Sequence, residues 1–508
     1  MEDSSYLWIV ICGGVFSFIA SMGIGANDVA NSYATSIGSK SLTIKQAVIL
    51  ACIFETCGAI LMGSHVSETI RKGIADYECF QDNPYTLMYG SMWVCFSVAS
   101  WLFTASYLEM PVSTTHSCIG GMIGMTIAIK GSDCVIWYKP SDNFPYIGGV
   151  SGMILSWFIS PLFSGIISSS LYTIIRQFIL RKQYEDKYIY FCFPILVSLT
   201  ILLNTFFIIY KGSKGIGLNK TPLEIVLSVS FGLSILSGLV TLPFLPKIYK
   251  KINDKYTKPK IIENIFIEGL QIDSLIVDTS CDDNKDDDNE VIETNNDNKL
   301  VKYFNNIETE INNSNDLLVN QIHENAEKFD VRTEEFFKYL QVFTAICSSF
   351  SHGANDVANA IGPFAAIITI YYEKNVLKDS VMDDNAYWIL GLGGIGISLG
   401  LLLYGYRIIK AIGIKLCKIT PSRGAIIELS AALVTIIGTR LKIPLSTTHC
   451  QIGATCGVGL LESSWKNNIS GINKYIVYKS LFGWIITCVF VGLITGILTS
   501  QGIYSPTV

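Results

Sequence analysis

The sequence predicts an all-α polytopic membrane protein of about twelve transmembrane segments, built as two inverted repeats with broken helices at the midplane. Three observations predict it: a strongly apolar composition, a series of apolar runs long enough to cross a bilayer, and two motifs that each occur twice in the same order. Of the 508 residues, 50% are hydrophobic and only 16% charged, with a mean hydropathy of +0.41. That is too apolar for a water-soluble protein and too long for one hydrophobic core. Charge is concentrated between residues 247 and 338, which hold 33 of the 79 charged residues. That tract is acidic and sets the sign of the net charge of -5, which gives no reason to expect a nucleic-acid partner. The opening MEDSS has no basic residue, so the apolar run from Tyr6 reads as a permanent span and not as a cleaved signal.

A helical crossing needs about 20 apolar residues. Runs of that size cover 6–24, 43–63, 86–108, 146–175, 188–210, 223–246, 386–406 and 474–499. Four more segments are shorter or interrupted: 113–130, 337–372 (one broken crossing), 424–440 and 445–462. Basic residues set the orientation. Arg176, Arg181, Lys182 and Lys187 share one short connection, Lys247 to Lys260 open the charged tract, and Arg407, Lys410, Lys415, Lys418 and Arg423 crowd a third. With twelve crossings all three clusters fall on one face, assigned to the cytoplasm, and both termini fall outside. The expected organisation is a first repeat at 1–175, additional transmembrane helices at 176–246, a cytoplasmic, largely disordered charged loop at 247–336, and a second repeat at 337–508. Within the loop, 247–260 is basic and suits anionic lipid headgroups. Residues 282–298 are acidic and Asn-rich, a composition that favours disorder. Residues 316–339 read as an amphipathic helix running into the next span. The 14 cysteines show no metal or redox spacing. Cys79 and Cys134 fall in polar connections on one side, where a disulfide between them is possible but is not counted on.

Duplication is the most informative feature. Gly25-Ala26-Asn27-Asp28-Val29-Ala30-Asn31 recurs as Gly353-Ala354-Asn355-Asp356-Val357-Ala358-Asn359, and Pro111-Val112-Ser113-Thr114-Thr115-His116 recurs as Pro444-Leu445-Ser446-Thr447-Thr448-His449. Seven crossings separate each pair of copies, an odd number, so the copies run in opposite directions. Carriers of that design bind substrate near the midplane between broken helices.

Asp28 and Asp356 are carboxylates at membrane depth, where an ionised group persists only for a partner or a function. With Asn27 and Asn355 they offer hard oxygen ligands for a sodium ion or a place for a proton; helix capping is the plainer use of the same residues. In the second motif a proline starts a helix, and Ser113, Thr114, Thr115, Ser446, Thr447 and Thr448 set hydroxyls beside free backbone N–H groups. Such a terminus binds anions or is simply N-capped. His116 and His449 either orient those hydroxyls, take a proton or hold a carbonyl. Glu55 and Glu428 bind a cation or lock helix pairs. No Lys or Arg lies within the spans near these carboxylates, so an oxyanion can enter only after cations neutralise them.

The paired motifs, with Ser351-His352 before and Ala360-Ile361-Gly362-Pro363 after the second copy, resemble the inorganic phosphate transporter (PiT) family. Phe54-Glu55-Thr56 and Glu68-Thr69-Ile70-Arg71-Lys72-Gly73 look like its eukaryotic, sodium-coupled branch. The resemblance covers roughly 1–175 and 337–500. It implies a symporter of phosphate and sodium in the plasma membrane, acting as a homodimer with one pathway per subunit and no cofactor beyond the cotransported ion. Asn27, Asp28, Asn355 and Asp356 would hold sodium, and the six Ser and Thr residues would surround phosphate. Glu55 and Glu428 match glutamates needed for transport. The rival readings are a proton-coupled or sulfate-carrying protein of the same fold, a channel, and a membrane-embedded metalloenzyme. The last lacks the H-E-x-x-H spacing of a zinc site.

Overall fold

The computed structural model describes residues 5–140, 146–182, 188–210, 221–257, 299–312, 316–376, 387–440, 445–463 and 470–505. Helix α1 (Leu7–Ile24) continues through a π-helical turn (Gly25–Val29) into α2 (Ala30–Gly38). Helix α3 (Ile44–Ile74) starts at a capping box in which Thr43 and Gln46 satisfy each other's backbone N–H. Helix α4 (Pro84–Tyr107) carries a proline at its start, where the missing N–H costs nothing. The chain then re-enters the interior without helix up to α5 (Thr114–Lys130), and α6 (Gly149–Ile175) completes the first half. Helices α7 (Tyr188–Tyr210) and α8 (Leu223–Thr241) pack on each other at the side, and α9 (Leu245–Thr257) continues α8. Two short helices follow, α10 (Lys299–Asn312) and α11 (Leu317–Asn325). The second half comprises α12 (Val331–Glu373), α13 (Tyr387–Tyr404), α14 (Tyr406–Lys410), α15 (Pro421–Arg440), α16 (Thr447–Leu460) and α17 (Lys474–Tyr504).

Among the described residues, seven helices are long and apolar enough to cross a membrane, and α13 with its 63° bend into the next helical stretch makes eight. These are the eight long runs of the sequence. The four shorter or interrupted segments become α5, α12, α15 and α16. All four bury polar or charged side chains, which lowers their hydropathy, and they are enclosed by the apolar helices. Phe158, Phe178, Phe191, Ile485 and Leu493 are exposed on the surrounding helices, as lipid contact requires. Helix α5 runs along α17 and α6 runs along α16. Ser164, Ser168 and Ser169 of α6 donate to the carbonyls of Cys450, Ala454 and Gly457 of α16 at 2.6, 2.9 and 2.9 Å. Hydroxyls bonded across a helix pair hold it in register where no water competes.

Three expectations need correction. The crossing at 337–372 is not broken: α12 is one helix of 43 residues, with Pro363 inside it. Its small residues let neighbouring helices close in without unwinding it. The discontinuities lie instead at the π turn, at the α13–α14 bend and at the entries to α5 and α16. The single helix expected over 316–339 is two, because Asp316 and Asp330 each cap a start. Asp316 accepts from Leu318 N at 3.0 Å, and Asp330 accepts from Arg332 N and Thr333 N at 2.9 and 3.1 Å. Finally, Cys79 and Cys134 do form a disulfide. Asp76 N donates to Cys134 O at 2.9 Å and Ile136 N to Ile74 O at 2.8 Å, so backbone pairing brings the two connections together. The acidic stretch 282–298, Pro444 and the side chains of Asn31 and of 64–72 lie outside the described residues.

The bond closes a loop of 55 residues. Replacing Cys79 or Cys134 by Ser should cost about 2–4 kcal/mol, read as a lower melting temperature of the purified protein. The double variant should behave like either single one. A melting temperature indifferent to both substitution and reductant would show that the bond is not formed.

Candidate functional site

Both copies of the Gly-Ala-Asn-Asp motif lie in the middle of the helical bundle, buried except for the half-buried Asn355. Their glycines are contact points between the halves. A Cβ on Gly25 would stand 1.7 Å from Ile397 O of α13, and one on Gly353 would stand 2.2 Å from Glu55 O of α3. Each copy is thus met by the backbone of the helix that follows the other copy. Only a residue without a Cβ permits that approach.

Asp28 and Asp356 converge. With His352 they offer ligand atoms that all lie within 4.8 Å of one another. Both aspartates are tied to the Ser/Thr segments. Asp28 Oδ2 accepts from Thr114 Oγ1 at 2.7 Å, at the start of α5, and Asp28 Oδ1 accepts from Thr448 of α16. Asp356 Oδ2 accepts from Thr447 Oγ1 at 2.7 Å, and Asp356 Oδ1 from Asn359 Nδ2 at 3.1 Å. Asn359 also donates to Thr114 and Thr115 at 2.9 and 3.3 Å. A small cavity of about 30 Å³ adjoins them, lined by Asp28, Ser351, His352, Thr447 and Gln451 among others.

The serines do something different from the threonines. Ser113 Oγ accepts from His116 N at 3.3 Å and Ser446 Oγ accepts from His449 N at 3.4 Å. Both are N-caps of their helices. Asn27 also serves the architecture here. Its Nδ2 donates to Ser106 Oγ and Met110 O at 3.1 and 3.0 Å, and its Oδ1 accepts from Val112 N at 2.9 Å. That pins the returning chain just before α5. Asn355, its counterpart, is only half-buried.

His116 and His449 meet between the two halves. Their ring centroids are 4.6 Å apart, with Trp157 stacked on His116 at 3.8 Å and Trp484 on His449 at 3.6 Å. His116 Nδ1 lies 3.2 Å from Trp484 O, and His449 Nδ1 lies 3.2 Å from Trp157 O. A carbonyl partner fixes Nδ1 as the protonated nitrogen of each ring. The histidines thus lock α5 and α16 to α17 and α6, and neither bonds to the threonine hydroxyls.

Glu55 and Glu428 occupy separate clusters. Glu428 of α15 accepts from Thr35 and Ser36 of α2 at 2.5 and 2.8 Å, and from Thr344 of α12 at 2.5 Å. Glu55 of α3 accepts from Ser349 at 2.9 Å and lies 2.9 Å from His352 Nδ1. His352 Nε2 is 3.0 Å from Asp356 Oδ2. His352 therefore joins Glu55 to the paired aspartates, a role that sequence reasoning missed. The available signal was the four-residue spacing of His352 and Asp356, one turn apart on an apolar helix.

A polytopic helical bundle with two converging carboxylates and two helix N-termini at its centre defines a membrane carrier for a small charged solute. The comparisons agree. The model of the phosphate transporter family PHO4 matches residues 24–495, so the chain belongs to the phosphate transporter family, a family of carriers and not of enzymes. It is 29% identical to the phosphate-repressible phosphate permease pho-4 of Neurospora crassa, over 98% of both chains. It is 27% identical to sodium-dependent phosphate transporter 1 of Xenopus tropicalis over 96% of this chain and 94% of that one. It is 30% identical to a putative phosphate permease of Pyrococcus abyssi, over 94% and 93%. A solved structure titled "The sodium-dependent phosphate transporter" superposes with a TM-score of 0.72 at 28% identity, covering 98% of this chain and 100% of that one. Archaeal, fungal and vertebrate relatives stand at similar distances, so identity alone does not assign the chain to one branch.

The backbone contacts at the motif glycines give a direct test of the site's geometry. Gly25→Ala and Gly353→Ala should each force the opposing helix away. Overpacking of this kind costs about 1–3 kcal/mol, read as a lower melting temperature with lost phosphate uptake. Wild-type stability in both variants would contradict the close approach.

Proposed function

We propose that the protein imports inorganic phosphate by cotransport with sodium, through alternating access. The observation that carries this reading is the convergence of Asp28 and Asp356, one from each half, each already bonded to threonines at the start of α5 or α16. Without a cation, the hydroxyls of Thr114, Thr447 and Thr448 are spent on the carboxylates. Sodium bound between Asp28 and Asp356 takes over those lone pairs and cancels their charge. The hydroxyls, and the N–H groups of the two helix starts, can then turn to a phosphate oxyanion. Cotransport follows because the oxyanion cannot bind beside the carboxylates until sodium has neutralised them. In this reading Thr115 joins the phosphate set, Ser113 and Ser446 shape it as caps, and Asn27 and Asn355 support the sodium ligands. Glu55 and Glu428 couple the site to the helix contacts around it.

The proposal includes 1–175 and 337–508 as inverted repeats, for which the reciprocal glycine and histidine contacts speak. It also includes a plasma-membrane location and a homodimer with one pathway per subunit. The face carrying the basic clusters is cytoplasmic. By the same count of twelve crossings the connections that carry Cys79 and Cys134 fall on the opposite face, and a disulfide between them suits an oxidising compartment. A second reading, proton coupling in the same fold, is favoured by His352 between Glu55 and Asp356.

Radiolabelled phosphate uptake into proteoliposomes tests both. Sodium-dependent accumulation above equilibrium, blocked by unlabelled phosphate and not by sulfate, is expected. Accumulation that ignores sodium and follows an imposed pH gradient would replace sodium by protons. Competition by sulfate at equal concentration would overturn the substrate. Asp28→Asn and Asp356→Asn should each abolish sodium-dependent uptake while the protein still inserts and purifies as a folded species. Near-normal sodium-dependent uptake in either variant would remove the aspartates from the cation site.

A further inference from the structure

Between α11 and α12 the chain crosses the basic face and meets three core helices at one residue. Glu327 Oε2 accepts from Arg176 Nε at 2.6 Å and is paired with Arg176 Nη2. It also takes both Nε and Nη2 of Arg181, at 2.7 and 2.9 Å. Its backbone N–H donates to Glu462 Oε2 at 2.7 Å, and its carbonyl accepts from Arg423 Nη2 at 2.7 Å. Glu462 completes the network. It accepts from Tyr172 OH at 2.5 Å and lies 3.0 Å from Arg423 Nη2, with both partners almost wholly buried. Asn325 Nδ2 donates to Glu462 O at 2.9 Å, and Arg176 Nη1 to Leu461 O at 3.2 Å. Tyr172 and Arg176 lie at the end of α6, Arg423 in the first turn of α15, and Glu462 just past the end of α16.

The two helices that carry the threonines are anchored differently at their far ends. Beyond α5, Cys134 is covalently bonded to Cys79, and Lys130 pairs with Asp82 at 2.7 Å. Beyond α16, the described tether is this network of ion pairs and hydrogen bonds. A disulfide cannot open and close during a transport cycle, whereas an ion-pair network can. Next to the network is a cavity of about 540 Å³, lined by Ser39, His323, Lys328, Phe329, Lys418 and Thr420 among others. Ser39 donates to Gln341 at 2.7 Å, one helical turn from Thr344 and its bond to Glu428.

We propose that residues 316–330, part of the charged central tract, form a strap that latches the intracellular gate, with Glu327 as its clasp. The strap holds α16 and α6 against α15 while the central site is loaded from outside, and release of the clasp lets α16 move and open the cavity to the site. Arg181 and Arg176 hold the Glu327 carboxyl below the usual carboxylate range. A lowered pKa means the tie is intact above the ordinary carboxylate value and is lost only as pH falls through the lowered one. Titration of Glu327 is therefore not what opens the latch at physiological pH.

This inference rests on the phosphate-carrier reading, and the test separates the two. Full-length wild type, Glu327→Gln and Glu327→Asp are compared in oriented proteoliposomes. Loss of the clasp should favour the inward-open form. The KM for external phosphate should rise at least five-fold in Glu327→Gln, phosphate efflux from loaded vesicles should not fall, and Glu327→Asp should stay near wild type. An unchanged external KM, or equal loss of uptake and efflux, would overturn the latch. Wild type that carries no phosphate would overturn the carrier reading instead. Hydrogen exchange then decides the latch without any transport. Faster exchange in Glu327→Gln confined to α11, the start of α12 and the end of α16 supports it, and unchanged exchange there overturns it.

Discussion

The structure depends on two buried carboxylates held close together. Asp28 and Asp356 come from opposite halves of the chain, yet their oxygens lie within 4.8 Å of each other and of His352. Charges of one sign do not gather in an apolar bundle unless hydrogen bonds or cations compensate them. Here threonines from both helix starts donate to them, and each such bond to a charged acceptor contributes about 1.5–3 kcal/mol. Those bonds also set where α5 and α16 begin. Once these starts are fixed at mid-depth, the rest follows. Serine caps must close them, and α17 and α6 must lie alongside to cover their backbones.

Much of this was legible in the sequence, for identifiable reasons. Eight crossings announce themselves by apolar length, because those helices face lipid. The other four were legible only as shorter or interrupted apolar segments, since helices enclosed by protein carry polar side chains that lower their hydropathy. The duplicated Asp and Thr residues were legible because duplication multiplies a weak signal. His352 was not, because the first copy has Ile24 at the corresponding place, and a reading keyed to repetition passes over what does not repeat. The division of labour within Ser-Thr-Thr was also hidden. Capping and ligand binding use the same hydroxyls, and only the fold shows that Ser113 and Ser446 cap while the threonines face the carboxylates. The disulfide depended on a backbone pairing between distant connections that leaves no mark in residue types.

The halves share motifs but not mechanics. Glu55 and Glu428 look like a pair in the sequence, yet one sits on the second helix of its half and the other on α15, in clusters that do not correspond. Glu55 meets a histidine, whereas the hydrogen bonds described for Glu428 come from the hydroxyls of Thr35, Ser36 and Thr344. A carrier with two identical halves would have equal energies facing in and out. These differences remove that equivalence between the halves.

The asymmetry reaches the motifs themselves. Seven identical residues form a π-helical turn at 25–29 in the first copy and regular α-helix in the second. Local propensity cannot produce that difference, because the local sequence is the same. The close backbone contact at the motif glycine cannot either, because both copies have it. What differs is the fate of the asparagine. Asn27 is fully buried and bonded to Ser106, Met110 and Val112, whereas Asn355 is half-buried. A π turn carries one extra residue, which rotates the side chains around it, and that rotation suits Asn27 to the chain returning ahead of α5. The wider turn is therefore imposed by the tertiary contact. It costs backbone regularity beside Asp28, and π turns are frequent at functional sites. In the second copy His352 and Asn359 flank Asp356 from adjacent turns of an unbroken helix, so the same carboxylate is presented by side chains instead of by backbone distortion.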